Sequence, residues 1–306
     1  MRGQVLCVGR NSLDLVFSVD LARLQPDSKQ RTSDPALLVG GQCVNAAVTL
    51  AGLGCAVAYA GVIGDDAAAA RVRAFLEKRG VDCSPTEIAH GMAAPCAYIM
   101  VDGATGERSI VETAPPGFPS FSGSIAEALW GRTLSVYFDG HEVEASIAIA
   151  IEAARRGIPT LTDAEVLTDA TRELLARVDT AIVPRALAAD LAGSSAPEDM
   201  LRALAELGGT AHVVTMGGEG AAGAIAGEAV HFVPAFGCTA IDTTGAGDAF
   251  HAGFLFADLA GAAFPDAMAF AARVAAAACE VKGANLGADR LAALAAAFNR
   301  ETSISE

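Results

Sequence analysis

Asp242, Thr243, Thr244, Gly245, Ala246, Gly247 and Asp248 are consecutive, two carboxylates, two hydroxyls and two glycines ahead of an apolar run that ends near Leu259. Glycines at 245 and 247 let the backbone approach a ligand closely. If the apolar run is helical, the amides of Ala246, Gly247 and Asp248 are unpaired first-turn donors, and the helix dipole adds partial positive charge to them. That combination is an anion hole, suited to the charge that develops on a phosphoryl group in transfer. Asp248, in the same turn, could accept the proton of an attacking hydroxyl or hold that hydroxyl in line. On a plainer reading Thr243, Thr244 and Asp248 only cap a helix.

Such a turn needs a strand before it and a sheet for its helix to dock on. "QVLCVG" is a short buried-strand pattern, and "GGQCVNAAVTLAGLG" reads as twin glycines opening a helix closed by Gly52 and Gly54. "AVAYAGVIG" is strand-like again, and a helical pattern runs from Asp66 to Arg79 and ends at Gly80. The same alternation continues through "TLSVYFDG", "SIAIAIEAARRG", "IPTLTDAE", "TAIVP", a helix around Met200 to Leu207, and "AHVVTMGG". It predicts a three-layer α/β/α sandwich with a mostly parallel central sheet, whose ligands sit beyond the carboxyl ends of the strands.

Two stretches break that rhythm. Residues 16–39 are polar and turn-rich, and "PCAYIMVDGATGERSIVET" alternates, turns at Asp102–Gly106 and alternates again, as a hairpin does. Together they predict a small β-sheet lid over the crevice, from segments of about 14–39 and 94–114; an ordinary edge hairpin explains the pattern equally well. With no internal repeat and no linker, residues 1–306 read as one domain.

Composition narrows the function. The chain is 52% hydrophobic with a formal net charge of −15, which supplies a core and disfavours nucleic-acid backbones and anionic lipid. A nucleotide is not excluded, because a local anion hole and Mg2+ can hold a phosphate tail against a negative background. The cysteines Cys7, Cys43, Cys55, Cys83, Cys96, Cys238 and Cys279 are odd in number with no CxxC pair, which points to thiols in a reducing cytosol. The N-terminus lacks signal-peptide features and no stretch reads as a membrane span, so a cytoplasmic protein is expected. GxxxxGK[ST], HRD, DFG and GxSxG are all missing, and the dinucleotide-like "GVIGDD" lacks GxGxxG spacing and a following helix start.

"GGQCVNAAVTLAGLG" with "GVIGDD" resembles the first signature of the ribokinase-like (PfkB) sugar kinases, and "DTTGAGDAFHAGF" resembles their second. The resemblance runs from Val5 to about Gly287 and leans towards ketohexokinase and the sulfofructose kinases. It implies a ribokinase-like fold, ATP with Mg2+ as phosphoryl donor, a K+ site in many members, a small-molecule sugar as acceptor, and a homodimer formed through the lids. Asp248 matches the family's catalytic base, and Gly245, Ala246 and Gly247 its anion hole.

By the same resemblance Asp14, Asp27, Gly41 and Asn45 bind the sugar, with Arg108 reaching it from the lid hairpin. Gly217 and Gly220 fall in the nucleotide loop and Cys279 in the adenine pocket. Asp242 helps hold the monovalent cation, while Glu165 and Asp163 arrange Mg2+ through water. Each also has a structural reading: strand-end or turn residue for Asp14 and Asp242, solvated charge for Asp27 and Arg108, backbone-bonded helix residue for Asn45, buried thiol for Cys279. Three positions depart from the pattern: Gln42 stands where ketohexokinase has asparagine, "VPRALAAD" replaces the NxxE motif, and His141 replaces an arginine. The expected activity is transfer of the γ-phosphoryl of ATP to a primary hydroxyl of a ketose-like sugar. A nucleoside or other sugar as acceptor, and a catalytically silent sugar-binding regulatory protein, stand as alternatives.

Overall fold

A computed structural model describes residues 3–32, 35–105 and 108–303. It opens with β1 (Gln4–Val8), β2 (Ser12–Val19), β3 (Ala36–Gly40), α1 (Gln42–Leu53), β4 (Ala56–Ala60), β5 (Val62–Gly64) and α2 (Ala67–Lys78). Short strands β6 (Val81–Asp82) and β7 (Glu87–Ala89) lead to the pair β8 (Cys96–Asp102) and β9 (Arg108–Thr113), then a single turn, α3 (Glu127–Trp130). Next come β10 (Thr133–Phe138), α4 (Val143–Arg156), β11 (Thr160–Asp163), α5 (Asp169–Leu175), β12 (Thr180–Pro184), α6 (Arg185–Ala192), α7 (Pro197–Leu207) and β13 (Ala211–Thr215). Strands β14 (Ala221–Ile225) and β15 (His231–Val233) precede α8 (Ala246–Leu259), α9 (Phe264–Cys279) and α10 (Ala288–Ser303).

Nine strands form the main sheet in the order β15-β14-β13-β12-β11-β10-β1-β4-β6. Every pairing from β13 to β6 is parallel, and β14 and β15 add an antiparallel edge. Strand β1 is buried at every residue, as a central strand covered on both faces must be. Its side chains alternate between two cores. Val5 and Cys7 pack with α1, α8 and α9, while Leu6 and Val8 pack with α4 and α7. Those are the three predicted layers. Gly52 lies inside α1 and does not close it. A Cβ there would sit 2.4 Å from Leu291 Cδ1, so its bareness lets α10 pack against α1.

The second sheet has the order β3-β2-β8-β9. It is mixed, because β2 pairs parallel with β8 while β3 and β9 pair antiparallel. Strands at both ends of residues 16–39 replace much of the predicted turn: β2 continues to Val19 and β3 begins at Ala36. Register sorts its side chains into two faces. Asp14, Ala97 and Glu112 form one cross-strand row and Ser18, Val101 and Arg108 another on the same side. Leu37, Leu15, Tyr98 and Val111 form a row on the opposite side, where Leu37, Tyr98 and Val111 are exposed.

The main sheet changes winding direction between β1 and β10: β4 lies on one side of β1, and β10 to β13 run away on the other. The carboxyl ends of β1 and β10 deliver Arg10–Asn11 and His141–Glu142 beneath the second sheet. A crevice at such a switch point is where open α/β sheets bind ligands.

Candidate active site

One cavity of about 480 Å³ occupies this crevice. Asp14 from the small sheet, Gly41 and Asn45 from the start of α1, Arg108 from β9, Glu165 after β11, and Gly245, Gly247 and Asp248 at the start of α8 all line it. Seven of the residues nominated from sequence as catalytic or sugar-binding therefore meet in one space. Asp27 does not join them. It stands at a positive φ of 61° on the exposed loop between β2 and β3.

The turn into α8 is built on a left-handed backbone conformation that favours glycine. Gly245 is the N-cap at φ 74°, and no side chain caps the helix. A Cβ at Gly245 would lie 2.2 Å from Ala284 Cβ, so the turn packs against the loop after α9. Asp242 holds the same junction: its carboxylate accepts from the Thr244 amide at 2.9 Å and the Gly283 amide at 2.8 Å. The Ala246 amide donates to the Thr243 carbonyl at 3.3 Å, so the first-turn amides left for an anion are those of Gly247 and Asp248.

Asp248 is buried, and Asn45 Nδ2 donates to its Oδ2 at 2.7 Å. Burial first, and then the nearby Asp163 carboxylate, push the Asp248 pKa up to about 8, against the lowering effect of the Asn45 bond. A carboxylate poised near neutrality is suited to taking a proton from a hydroxyl. Asp163 itself is held well above the carboxylate range by burial and by Glu165; Tyr137 Oη donates to it at 3.2 Å, and His251 Nε2 lies 3.4 Å away.

Asp14 carries the other buried carboxyl. Burial raises its pKa to about 6, opposed by the hydroxyl of Ser12, which donates to it. Gly40 makes room for it, since a Cβ there would lie 1.8 Å from Asp14 Oδ2. Gly41, at φ 97°, is pressed against the backbone of Arg10 and Asn11. Arg108 spans the cavity from the small sheet: its Nη1 donates to Thr243 Oγ1 at 3.1 Å.

The remaining nominees lie outside this cavity. Gly217 and Gly220 bound the turn after β13, where a Cβ on Gly220 would meet the Val233 carbonyl at 2.0 Å. The Cys279 carbonyl accepts from the amides of Ile241 and Asp242, tying the end of α9 to the irregular segment that, in place of the expected strand, enters the glycine turn.

Two residues were not nominated from sequence, Glu142 on the cavity wall and His251 behind it. Glu142 accepts from Arg10 Nε at 3.1 Å and from the Phe121 amide. His251, a turn beyond Asp248, faces the carbonyls of Gly247 and Ile182 with its two ring nitrogens. The two departures at Gln42 and His141 are in hydrogen-bond contact with each other. The signal for these was proximity, which no linear motif carries.

A helix start with no side-chain cap facing a buried carboxyl, beneath a small sheet that carries a second one, is an arrangement suited to phosphoryl transfer on an α/β/α scaffold. Residues 2–290 match the pfkB family of carbohydrate kinases; the chain belongs to that family and is a carbohydrate kinase. It is 28% identical to a fructokinase of Klebsiella pneumoniae over 289 residues, 88% of each chain. It is 25% identical to the ketohexokinase of Mus musculus over 294 residues, 92% of this chain and 97% of the other. The fold superposes on an Arabidopsis thaliana ribokinase complexed with ribose and ATP with a TM-score of 0.79, covering 96% and 99% of the two chains at 22% identity. The expected fold and family are thereby met. Among the described residues no helix is long and apolar enough to cross a membrane.

Proposed function

We propose that this kinase transfers the γ-phosphoryl of ATP to a primary hydroxyl of a ketose-like sugar, with Asp248 as the base. The observation that carries the proposal is that Asp14, Asn45, Asp248 and the uncapped start of α8 share one cavity. The sugar would lie against Asp14, Gly41 and Asn45, with its reacting hydroxyl directed at Asp248. Asp248 takes the proton as the hydroxyl oxygen bonds to the γ-phosphorus and the bond to the bridging oxygen breaks, releasing ADP, and the amides of Gly247 and Asp248 stabilise the transferring group. Arg108, already on Thr243, closes the cavity over both substrates and helps exclude water.

No group of three or more His, Cys, Asp or Glu among the described residues forms a metal cage. The chain therefore fits Mg2+ as an ion carried by the nucleotide, with Glu165 reaching it through water; there it would neutralise phosphate charge. Asp163 is already paired with Tyr137 and His251, so Glu165 is the better placed of the two. For K+, Asp242 offers a buried carboxylate, and both of its oxygens already hold backbone amides.

A nucleoside acceptor is less well served. Phe118 is the one Phe, Tyr or Trp on the cavity wall among the described residues, and Tyr98 points away on the exposed row. That same apolar row supports a homodimer through the small sheets, which sedimentation can test. The function itself is tested by ADP release with Mg2+-ATP and K+ against fructose, tagatose, psicose, sulfofructose, ribose and adenosine. Sugar binding without ATP-dependent turnover would instead favour a silent sugar-binding protein.

A further inference from the structure

Asn11 lies on the cavity wall between β1 and β2 and is 2% exposed. Its amide orientation follows from its neighbours. Nδ2 donates to the Tyr59 hydroxyl at 2.9 Å and to the Val62 carbonyl at 2.6 Å, using both of its hydrogens. Tyr59 Oη in turn donates to the Gly9 carbonyl at 2.9 Å, so it can only accept from Asn11. The Val62 carbonyl admits no flipped amide, because two acceptors would then face each other. Oδ1 is therefore the atom left over, and it is buried without a partner. A buried acceptor without a donor is costly unless a ligand supplies one.

Asn45 repeats the arrangement a short way across the same wall. Its Nδ2 is committed to Asp248 and its Oδ1 is buried without a partner. Asp14 adds a carboxylate with one oxygen on Ser12. The wall thus offers acceptors on three side chains. Against them, Gln42 Nε2 is the buried donor left without a partner, Gln42 Oε1 being held by His141.

The charged groups have the same bias. Asp14, Glu112, Glu142, Glu165 and Asp248 line the cavity with Arg10 and Arg108. Arg10 is paired with Glu142, and Arg108 is turned to Thr243 at the anion hole. A carboxylate, sulfonate or phosphate on the sugar has no hydrogen to give the three acceptors and would meet like charge.

We propose that Asn11 reads a substrate hydroxyl through Oδ1, held in place by Tyr59 and Val62, and that the site accepts uncharged polyhydroxy sugars and rejects their acidic counterparts. The proposal rests on the sugar-kinase reading above and adds a specificity residue and a substrate class to it. Tyr59 acts as a positioning residue, through Asn11.

The test is calorimetric binding and kcat/KM, in wild type, Asn11→Leu and Tyr59→Phe, for fructose, its monodeoxy analogues and its acidic counterparts bearing a carboxylate, sulfonate or phosphate. In wild type, each acidic sugar should bind at least about tenfold more weakly than fructose, and one deoxy analogue should lose about tenfold or more. That particular deoxy penalty should vanish in Asn11→Leu, with KM for ATP unchanged. Tyr59→Phe should raise the sugar KM severalfold with little change in kcat. An acidic sugar that binds as well as fructose, or deoxy penalties identical in wild type and Asn11→Leu, would overturn the proposal. If Asn11→Leu does not fold, the wild-type acidic comparison and Tyr59→Phe decide alone. Sugars that bind but are never phosphorylated would sink the kinase chemistry and still leave Asn11 to be judged on affinity. Failure of every neutral sugar to bind would overturn the proposal directly.

Discussion

Asn45 and Asp248 lie 203 residues apart in sequence and share a 2.7 Å hydrogen bond in the floor of the cavity. The bond favours the charged form of a carboxyl that burial, even against it, holds up at about 8. It joins α1 to α8, so under the proposed mechanism one contact would set both the reactivity and the aim of Asp248.

Removing the base should remove the chemistry and spare the nucleotide. Asp248→Asn is expected to lower kcat by about 10²-fold or more, the usual scale for a general base, with ATP affinity within a few-fold of wild type. Turnover near wild type in that variant would refute the role.

The Asn45 contact should be visible in a pH profile. The base works deprotonated, so kcat/KM falls as pH drops through its pKa. Asn45→Leu removes a donor that lowers that pKa, so the acidic limb should move to higher pH. An unmoved limb would mean that the bond does not tune the base.

Asp14 should leave a mark on stability. Burial raises its pKa from 3.8 to about 6, so between those values the folded chain binds more protons than the unfolded one. Stability from this group therefore falls as pH rises through that window. Asp14→Asn removes the titration while keeping an acceptor for Ser12. Its Tm relative to wild type should be higher at pH 7.5 than at pH 4, while sugar affinity drops about tenfold or more. Equal Tm differences at the two pH values would argue against a buried, proton-linked Asp14.

Gly245→Ala puts a methyl group where φ is 74° and Ala284 Cβ would lie 2.2 Å away. The expected cost is about 1–3 kcal/mol of stability, with kcat falling more than sugar affinity. Differential scanning fluorimetry and steady-state kinetics would separate the two effects.

Arg108→Ala should leave Tm unchanged, because the side chain is exposed, and should weaken the lid contact to Thr243. A double-mutant cycle with Thr243→Val measures that contact. Additive effects on kcat/KM would show that the contact is incidental.

Much of the scaffold was legible because its signals are local. The alternation of β1, α1, β4 and α2 follows from apolar runs punctuated at Gly41, Gly54 and Gly80. Asp242 to Asp248 could be read as a glycine turn ahead of a helix because the residue types that make an anion hole must be adjacent. The second sheet was only half legible: β2 and β3 flank a polar loop that masked them, and the parallel partnership of β2 with β8 is a long-range pairing with no local mark. Part of the turn expected at Asp102–Gly106 lies outside the described residues. Asn11 and the Gln42–His141 pair were hidden for a different reason. Asn11 is an ordinary polar residue in sequence and Gln42 and His141 stand out only as departures from a pattern; only the folded chain brings the pair together and leaves Asn11 Oδ1 and Gln42 Nε2 without a partner.

Asp14 and Arg108 are carried on β2 and β9, two strands of the same four-stranded sheet. Asp14 lines the cavity and Arg108 meets the glycine turn, so a displacement of the sheet as one piece would act on both contacts. Tilting it cannot change one contact and leave the other alone. Anything that loads its outer row of Leu37, Tyr98 and Val111 should therefore move the apparent affinities for acceptor and nucleotide together, from a surface that touches neither.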